Sequence, residues 1–156
     1  MYKPTRLHHV GIIMQDEERA NRFIEKFGFE IDHVEPAPYY NAYVMFLKPL
    51  GANQTIDTQA PEFTGIPWPF SVVELVIPVG EGAIKHYNRG MGGLHHIAIS
   101  VEDLDTATQH FQNLGMDFLG EAPNQLSDGC RTRFLQLRFG EGVVIELIQE
   151  ARLEQD

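Results

Sequence analysis

Gly93-Leu94-His95-His96-Ile97-Ala98-Ile99-Ser100-Val101 decides how the chain is read, because it has an echo near the start, Leu7-His8-His9-Val10-Gly11-Ile12-Ile13-Met14. Each copy opens on an apolar residue and a His-His pair, then alternates small and branched residues. Each is followed by an acidic turn and an amphipathic helix, over 16–27 and 103–114. A second echo closes each half: Val73-Glu74-Leu75-Val76 and Ile145-Glu146-Leu147-Ile148. A histidine strand and a glutamate strand thus each occur twice, which marks an internal duplication.

Period-2 geometry sends His9, Gly11 and Ile13 to one face of the first strand and His8, Val10 and Ile12 to the other. In the second copy His96, Ala98 and Ser100 oppose His95, Ile97 and Ile99. The first helix places Ala20, Phe23, Ile24 and Phe27 on one face and stops at Gly28. The second turns Leu104, Ala107, Phe111 and Leu114 inward and stops at Gly115. Further strands are predicted over 29–34, 43–47 and 71–79 in the first half. In the second half they fall over 116–119, 132–139 and 143–149, with a loop over 123–129. The last two strands form a hairpin around Gly140-Glu141-Gly142. Each half therefore reads βαβββ, and the fold class is α+β. The chain of 156 residues is expected to be a single domain of two modules, 5–79 and 93–150, with a linker over 80–92 that holds a short polar helix over 83–88.

The histidine echoes lie 87 residues apart and the glutamate echoes 72, so the first module is 15 residues longer between its His and its Glu. The extra length falls at about 50–70, where three prolines, two glycines and the only tryptophan, Trp68, are gathered. A loop this long in a compact domain is functional or disordered. Phe63, Trp68 and Phe70 suit the wall of a mostly apolar ligand cavity, and equally a surface excursion or an oligomer contact.

A formal charge of −10 argues against a nucleic-acid partner. No run of about 20 apolar residues occurs and no apolar segment opens the chain, so neither a membrane span nor export is expected. A single cysteine, Cys130, excludes a disulfide framework and fits the reducing cytoplasm. It has no histidine close in sequence, so it is read as structural rather than nucleophilic.

The chemistry is expected at His9, Glu74, His96 and Glu146. Each lies on a strand, and each pair fills equivalent places in the repeat. Two nitrogens and two oxygens suit a divalent first-row metal with positions left for water or substrate. A carboxylate on an otherwise apolar strand face is costly to bury alone, and a metal would partner it. A mixed nitrogen and oxygen set accepts Co, Ni, Mn, Fe or Zn. His8 and His95 face away and are read as packing or hydrogen-bonding residues. His33, His86 and His110 have no echo and are read as surface residues. Inward candidates beyond the ligands are Ile13, Val44, Phe46, Ser100, Arg133 and Gln136.

The two βαβββ modules, the Leu7-His8-His9-Val10-Gly11-Ile12 strand, the Gly93-Leu94-His95-His96-Ile97-Ala98 segment and Gly142-Val143-Val144-Ile145-Glu146-Leu147 resemble the vicinal-oxygen-chelate superfamily. This is the superfamily of glyoxalases, bleomycin-resistance proteins and dioxygenases. Val73-Glu74-Leu75-Val76-Ile77-Pro78, followed by a short helix and the Gly-Leu-His-His segment, looks most like methylmalonyl-CoA epimerases. The resemblance implies cupped mixed sheets around a metal-centred cavity, a small substrate with vicinal oxygens such as an acyl-CoA, and commonly a homodimer. It also implies that the second His of each pair is the ligand. Activity would then run through a metal-stabilised enolate, with Glu146 moving the proton.

The pattern also departs from that family. Epimerases of this kind carry a catalytic Glu on the third strand, where Val44 stands here. Their His-Pro-Lys-Ser segment is Gln136-Leu137-Arg138-Phe139, in which Arg138 would partly replace the lysine that holds the CoA end. Glyoxalase I, a lyase with the same His, Glu, His, Glu set, has an arginine on the first strand, where Ile13 stands. The substrate wall is therefore expected from Val44, Phe46, Trp68, Ser100, Arg133, Gln136 and Arg138. Two alternatives differ in class. If Glu74 is not a ligand, His9, His96 and Glu146 form the set of a non-haem Fe(II) ring-cleavage dioxygenase. A binding protein without chemistry would use the same cavity, although such proteins commonly lose the metal set that this chain keeps.

Overall fold

The computed structural model describes residues 2, 4–50, 73–126 and 129–151. The insert with Phe63, Trp68 and Phe70 lies outside them. The elements are β1 (Pro4–Ile13), α1 (Glu17–Phe27), β2 (Phe29–Ala37), β3 (Ala42–Pro49), β4 (Val73–Pro78), α2 (Ala83–His86), β5 (Gly93–Val101), α3 (Leu104–Asn113), β6 (Asn124–Gln125), β7 (Arg131–Phe134) and β8 (Val144–Gln149). This is the expected α+β class.

The chain divides into two compact units. One is Ile13–Gly93. In it β2, β3 and β4 form an antiparallel ladder in that order. The other joins Met1–Ile12 to Leu94–Asp156. Its strand order is β1-β5-β8-β7-β6, with β5 parallel to β8 and β7 antiparallel to both β8 and β6. The first histidine strand is thus hydrogen-bonded beside the second one, within the unit built from the second repeat.

The helices begin and end as the sequence directs. The side chains of Asp16 and Asp103 cap α1 and α3 by accepting the backbone N–H of Arg19 and Thr106. Gly28, at φ 71°, closes α1 in the left-handed conformation open to glycine. Ala20 is the buried centre of α1, and Leu104 and Ala107 of α3. Phe27 and Leu114 are not buried as the periodicity predicts. Each sits at or just past a helix end, and each is more than half exposed.

Three strand assignments change. The segment 116–119 is not a strand. It lies between Gly115 and Gly120, both at positive φ, and makes one isolated bridge, Phe118 to Leu135. The sixth strand is instead Asn124–Gln125, inside the expected loop, paired with Arg131 and Thr132. β7 ends at Phe134 because Leu137–Phe139 curls into a 3-10 turn, in which the Leu137 carbonyl accepts the Gly140 N–H at 3.2 Å. β2 runs on past Val34 to Ala37. It is the end strand of its ladder, so Pro36, which has no N–H to give, interrupts nothing there.

Each unit has its own core. Ile13, Ala42, Val44, Phe46, Val76 and Ile84 pack together in one. Val101, Leu104, Ala107, Phe118, Leu135 and Leu147 do so in the other.

Candidate metal centre

Alternation buries the expected faces of both histidine strands: His9, Gly11 and Ile13 on β1, and His96, Ala98 and Ser100 on β5. β8 lies parallel beside β5, and its register sets Glu146 against Ala98. Three donors from three neighbouring strands then converge. His9 Nε2 lies 3.0 Å from His96 Nε2, and Glu146 Oε2 lies 3.2 Å from the first and 3.3 Å from the second.

The residue two places after each histidine makes the convergence feasible. A Cβ at Gly11 would stand 1.9 Å from Cε1 of the His96 ring, so only glycine leaves the imidazole its place. Ala98 holds the equivalent position on β5 and is fully buried.

All three donors are almost wholly shielded, at 1%, 2% and 5% exposure for His9, His96 and Glu146. Burial pushes the Glu146 carboxyl up. Hydrogen bonds from His9 and His96, reinforced by electrostatic attraction, outweigh it and hold the group well below the usual carboxylate range. Glu146 is therefore an ionised acceptor at neutral pH. The donor set fits a divalent metal. Arms of about 2.0–2.2 Å meeting near tetrahedral or octahedral angles leave ligand atoms about 2.8–3.6 Å apart, a range that holds the spacing of these three.

Behind the set stand the residues that alternation turns away. His8 Nδ1 lies 2.8 Å from His9 Nδ1, and His95 Nδ1 lies 2.9 Å from His96 Nδ1. His8 is pushed down to about 4, first by burial and then by the charge of His9.

Glu74 belongs to the other unit and is likewise buried. Its register partner on β3 is Phe46, whose own partner on β2 is His33, so the three share one face. His33 is exposed, as expected, and it stacks on Phe46 with ring centroids 4.5 Å apart and pairs with Asp32 and Glu35. Val44 and Phe46 lie in the apolar core of that unit, so Val44 brings no proton carrier to its strand.

The remaining wall candidates fare unevenly. Ser100 is buried and donates through Oγ to Glu150, which also holds Arg6 at 2.6 Å. Arg133 is a correction. Its register partner is Leu147 of the apolar core, and its guanidinium lies over Phe118 and donates to the carbonyls of Gly120 and Glu121. Phe134 faces the donors instead: it pairs with Glu146 and sets its ring edge-on to His96, with centroids 5.5 Å apart. Phe134 is not among the expected inward residues, and alternation along 132–134 is the signal that places it on the Glu146 face. Gln136 leads into the 3-10 turn, and its N–H goes to the Asp117 carbonyl. Arg138, on that turn, is exposed, paired with Asp117 at 3.0 Å and laid over Phe139. Cys130 is buried.

Known proteins give the arrangement its context. The ethylmalonyl-CoA/methylmalonyl-CoA epimerase of Cereibacter sphaeroides is 28% identical over 149 residues, spanning 92% of this chain and 97% of that protein. The mitochondrial methylmalonyl-CoA epimerase of Mus musculus is 25% identical over 154 residues, spanning 96% and 75%. Among solved structures, a methylmalonyl-CoA epimerase in complex with methylmalonyl-CoA and NH4+ superposes with a TM-score of 0.75 at 28% identity, covering 99% of this chain and 100% of that one. A Streptomyces coelicolor methylmalonyl-CoA epimerase variant in complex with 2-nitronate-propionyl-CoA superposes with a TM-score of 0.74 at 28% identity, covering 96% and 100%. The model of one family matches residues 8–134, and on that match the chain belongs to the glyoxalase/bleomycin resistance protein/dioxygenase superfamily.

Proposed function

We propose that the chain is a divalent-metal-dependent isomerase that epimerises a 2-substituted malonyl-CoA-type thioester through an enolate. The observation that carries this reading is the buried His9, His96 and Glu146 donor set, in a chain whose relatives are epimerases of that class. His9, His96, Glu146 and Glu74 would hold the metal. When bound, the metal supplies Lewis-acid stabilisation of the negative charge that develops on the substrate oxygen.

The chain's own residues do the rest. Inversion needs a proton removed from the α-carbon on one side and another delivered on the other. Glu146, held ionised, is one carrier. Val44 cannot be the second, so we assign that role to Glu74, the other buried carboxylate of the repeated pair. The apolar face around Phe134, beside His96 and Glu146, keeps water from the reacting carbon. The lone buried thiol is consistent with a cytoplasmic protein, and the superfamily resemblance with a homodimer.

The test is α-proton exchange in D2O. Metal-loaded protein given one epimer of methylmalonyl-CoA should form the other, with deuterium at the α-carbon. Glu74→Gln should keep its metal and lose inversion. Loaded wild type that leaves the α-proton untouched would sink the reading.

A second reading has one observation behind it. Within a single unit the donors are two imidazoles and one carboxylate, the pattern of non-haem Fe(II) oxygenases. It moves ahead if Glu74→Ala still binds iron and consumes oxygen with a catechol.

A further inference from the structure

Each donor histidine is gripped from behind by its own predecessor, and the grip is the same twice. His8 and His9 rings stand nearly perpendicular, with centroids 5.0 Å apart and 76° between planes. His95 and His96 repeat this at 5.1 Å and 88°. In both pairs the contact is Nδ1 to Nδ1, at 2.8 Å and 2.9 Å. Neighbours on a strand point to opposite faces, so ring-to-ring bonding between them is not what extended backbone gives by default. Its recurrence in two strands, with 87 positions between the donor histidines, argues for a role.

Two imidazole nitrogens this close hold one proton between them. A neutral imidazole has one N–H and one lone pair. A ring that offers its Nε2 lone pair to a cation must carry its proton on Nδ1, and then the facing Nδ1 of the predecessor accepts it. Most ligand histidines give that proton to a carboxylate or a backbone carbonyl, which only accepts. An imidazole partner can also donate. Without a cation, His9 and His96 cannot both point lone pairs at each other across 3.0 Å, so at least one must carry its proton on Nε2. That ring then needs a donor at its Nδ1, and the predecessor supplies one by turning to its own Nδ1–H form.

We infer that His8 and His95 are positioning residues that set the ring orientation and tautomer of His9 and His96. They accept a hydrogen bond at Nδ1 when a divalent cation takes the Nε2 lone pairs and donate one when it leaves. The exchange is balanced. The donor ring loses a proton at Nε2 and gains one at Nδ1. Its predecessor loses one at Nδ1 and gains one at Nε2. The inference rests on the metal half of the proposed function and not on the epimerase half.

The test uses the full chain with Zn2+ or Co2+ alone. Nitrogen-15 spectra should show His9 and His96 protonated at Nδ1 in the Zn2+ form, with His8 and His95 protonated at Nε2. In the metal-free form at least one pair should exchange these assignments. His8→Leu and His95→Leu should each weaken Zn2+ binding by about 10–100-fold, the range for lost outer partners of metal ligands. His8→Asn and His95→Asn keep a polar atom near the Nδ1 place and should recover most of that loss. His8→Gln and His95→Gln reach past it and should not, a contrast that holds even if the leucine variants fold poorly. Equal Zn2+ affinity across all variants, or unchanged tautomers on loading, would overturn the inference. Wild type that takes up no divalent ion would overturn it too. Tight metal binding without α-proton exchange would remove only the epimerase reading.

Discussion

The second copy of the repeat keeps its histidine and glutamate on paired strands of one unit, whereas the first copy divides them, with His9 in one unit and Glu74 in the other. The strands also differ where they match most closely. Two places after the histidine, β5 carries Ala98 against Glu146, while β1 carries Gly11 against the His96 ring. Duplication supplies donors in equivalent places, and local packing decides how much room each has.

The sharpest way to break this comparison is to exchange the two small residues. Gly11→Ala places a methyl group inside the His96 ring, so the imidazole must leave and metal binding should fall by at least about 100-fold. Ala98→Gly should cost about 0.5–1 kcal/mol of stability and leave binding in place. Isothermal titration with Zn2+ and thermal melts check both.

Next in size is the pair of carboxylates. Glu146→Ala leaves two buried imidazoles without their acceptor and should destabilise the metal-free protein by about 1–3 kcal/mol, besides abolishing metal uptake. Glu74→Ala should lower metal content without removing the His9–His96 contact. Elemental analysis beside denaturant melts separates the two effects.

Acid should act on β1 through His8. Its folded value lies near 4 against a free value of 6.5, chiefly from burial. Below pH 6.5 the unfolded chain binds a proton that the folded chain refuses, so metal-free stability should fall as pH drops toward 4. Glu146, held low, adds its own loss as pH falls through the carboxylate range. His8→Asn should flatten the slope between pH 6.5 and 4 in urea melts.

The smallest effect is expected far from either donor. Arg138→Ala removes an exposed pair with Asp117 and should change stability by less than about 1 kcal/mol. A large loss of activity with an acyl-CoA substrate would instead restore Arg138 as a contact for the CoA end.

Much of the centre was legible because strand alternation has period 2. Once His9 and His96 were placed on echoed strands, Gly11, Ala98 and Glu146 followed onto one face. Arg133 shows the limit of the same rule. A four-residue strand whose start is hidden by a loop can be read in either phase, and Arg133 and Gln136, both expected inward, lie an odd number of residues apart and so cannot share one strand face. The segment 116–119 failed for another reason. Its apolar residues look like a strand, but a left-handed glycine at each end leaves no length for a ladder. The Nδ1 contacts of His8 and His95 were beyond sequence reasoning altogether, because alternation says only that these rings point away.

β2 carries a consequence of a different kind. Among the described residues it is the end strand of its ladder, with a bulge between Ile31 and His33 and Pro36 near its far end. A free strand edge is a template on which another chain can polymerise, and a kinked ladder lacking one N–H is a poor template. Ile31 and Val34 can therefore stay exposed on this edge without inviting fibrils, which gives a protein with a large share of strand a built-in resistance to aggregation.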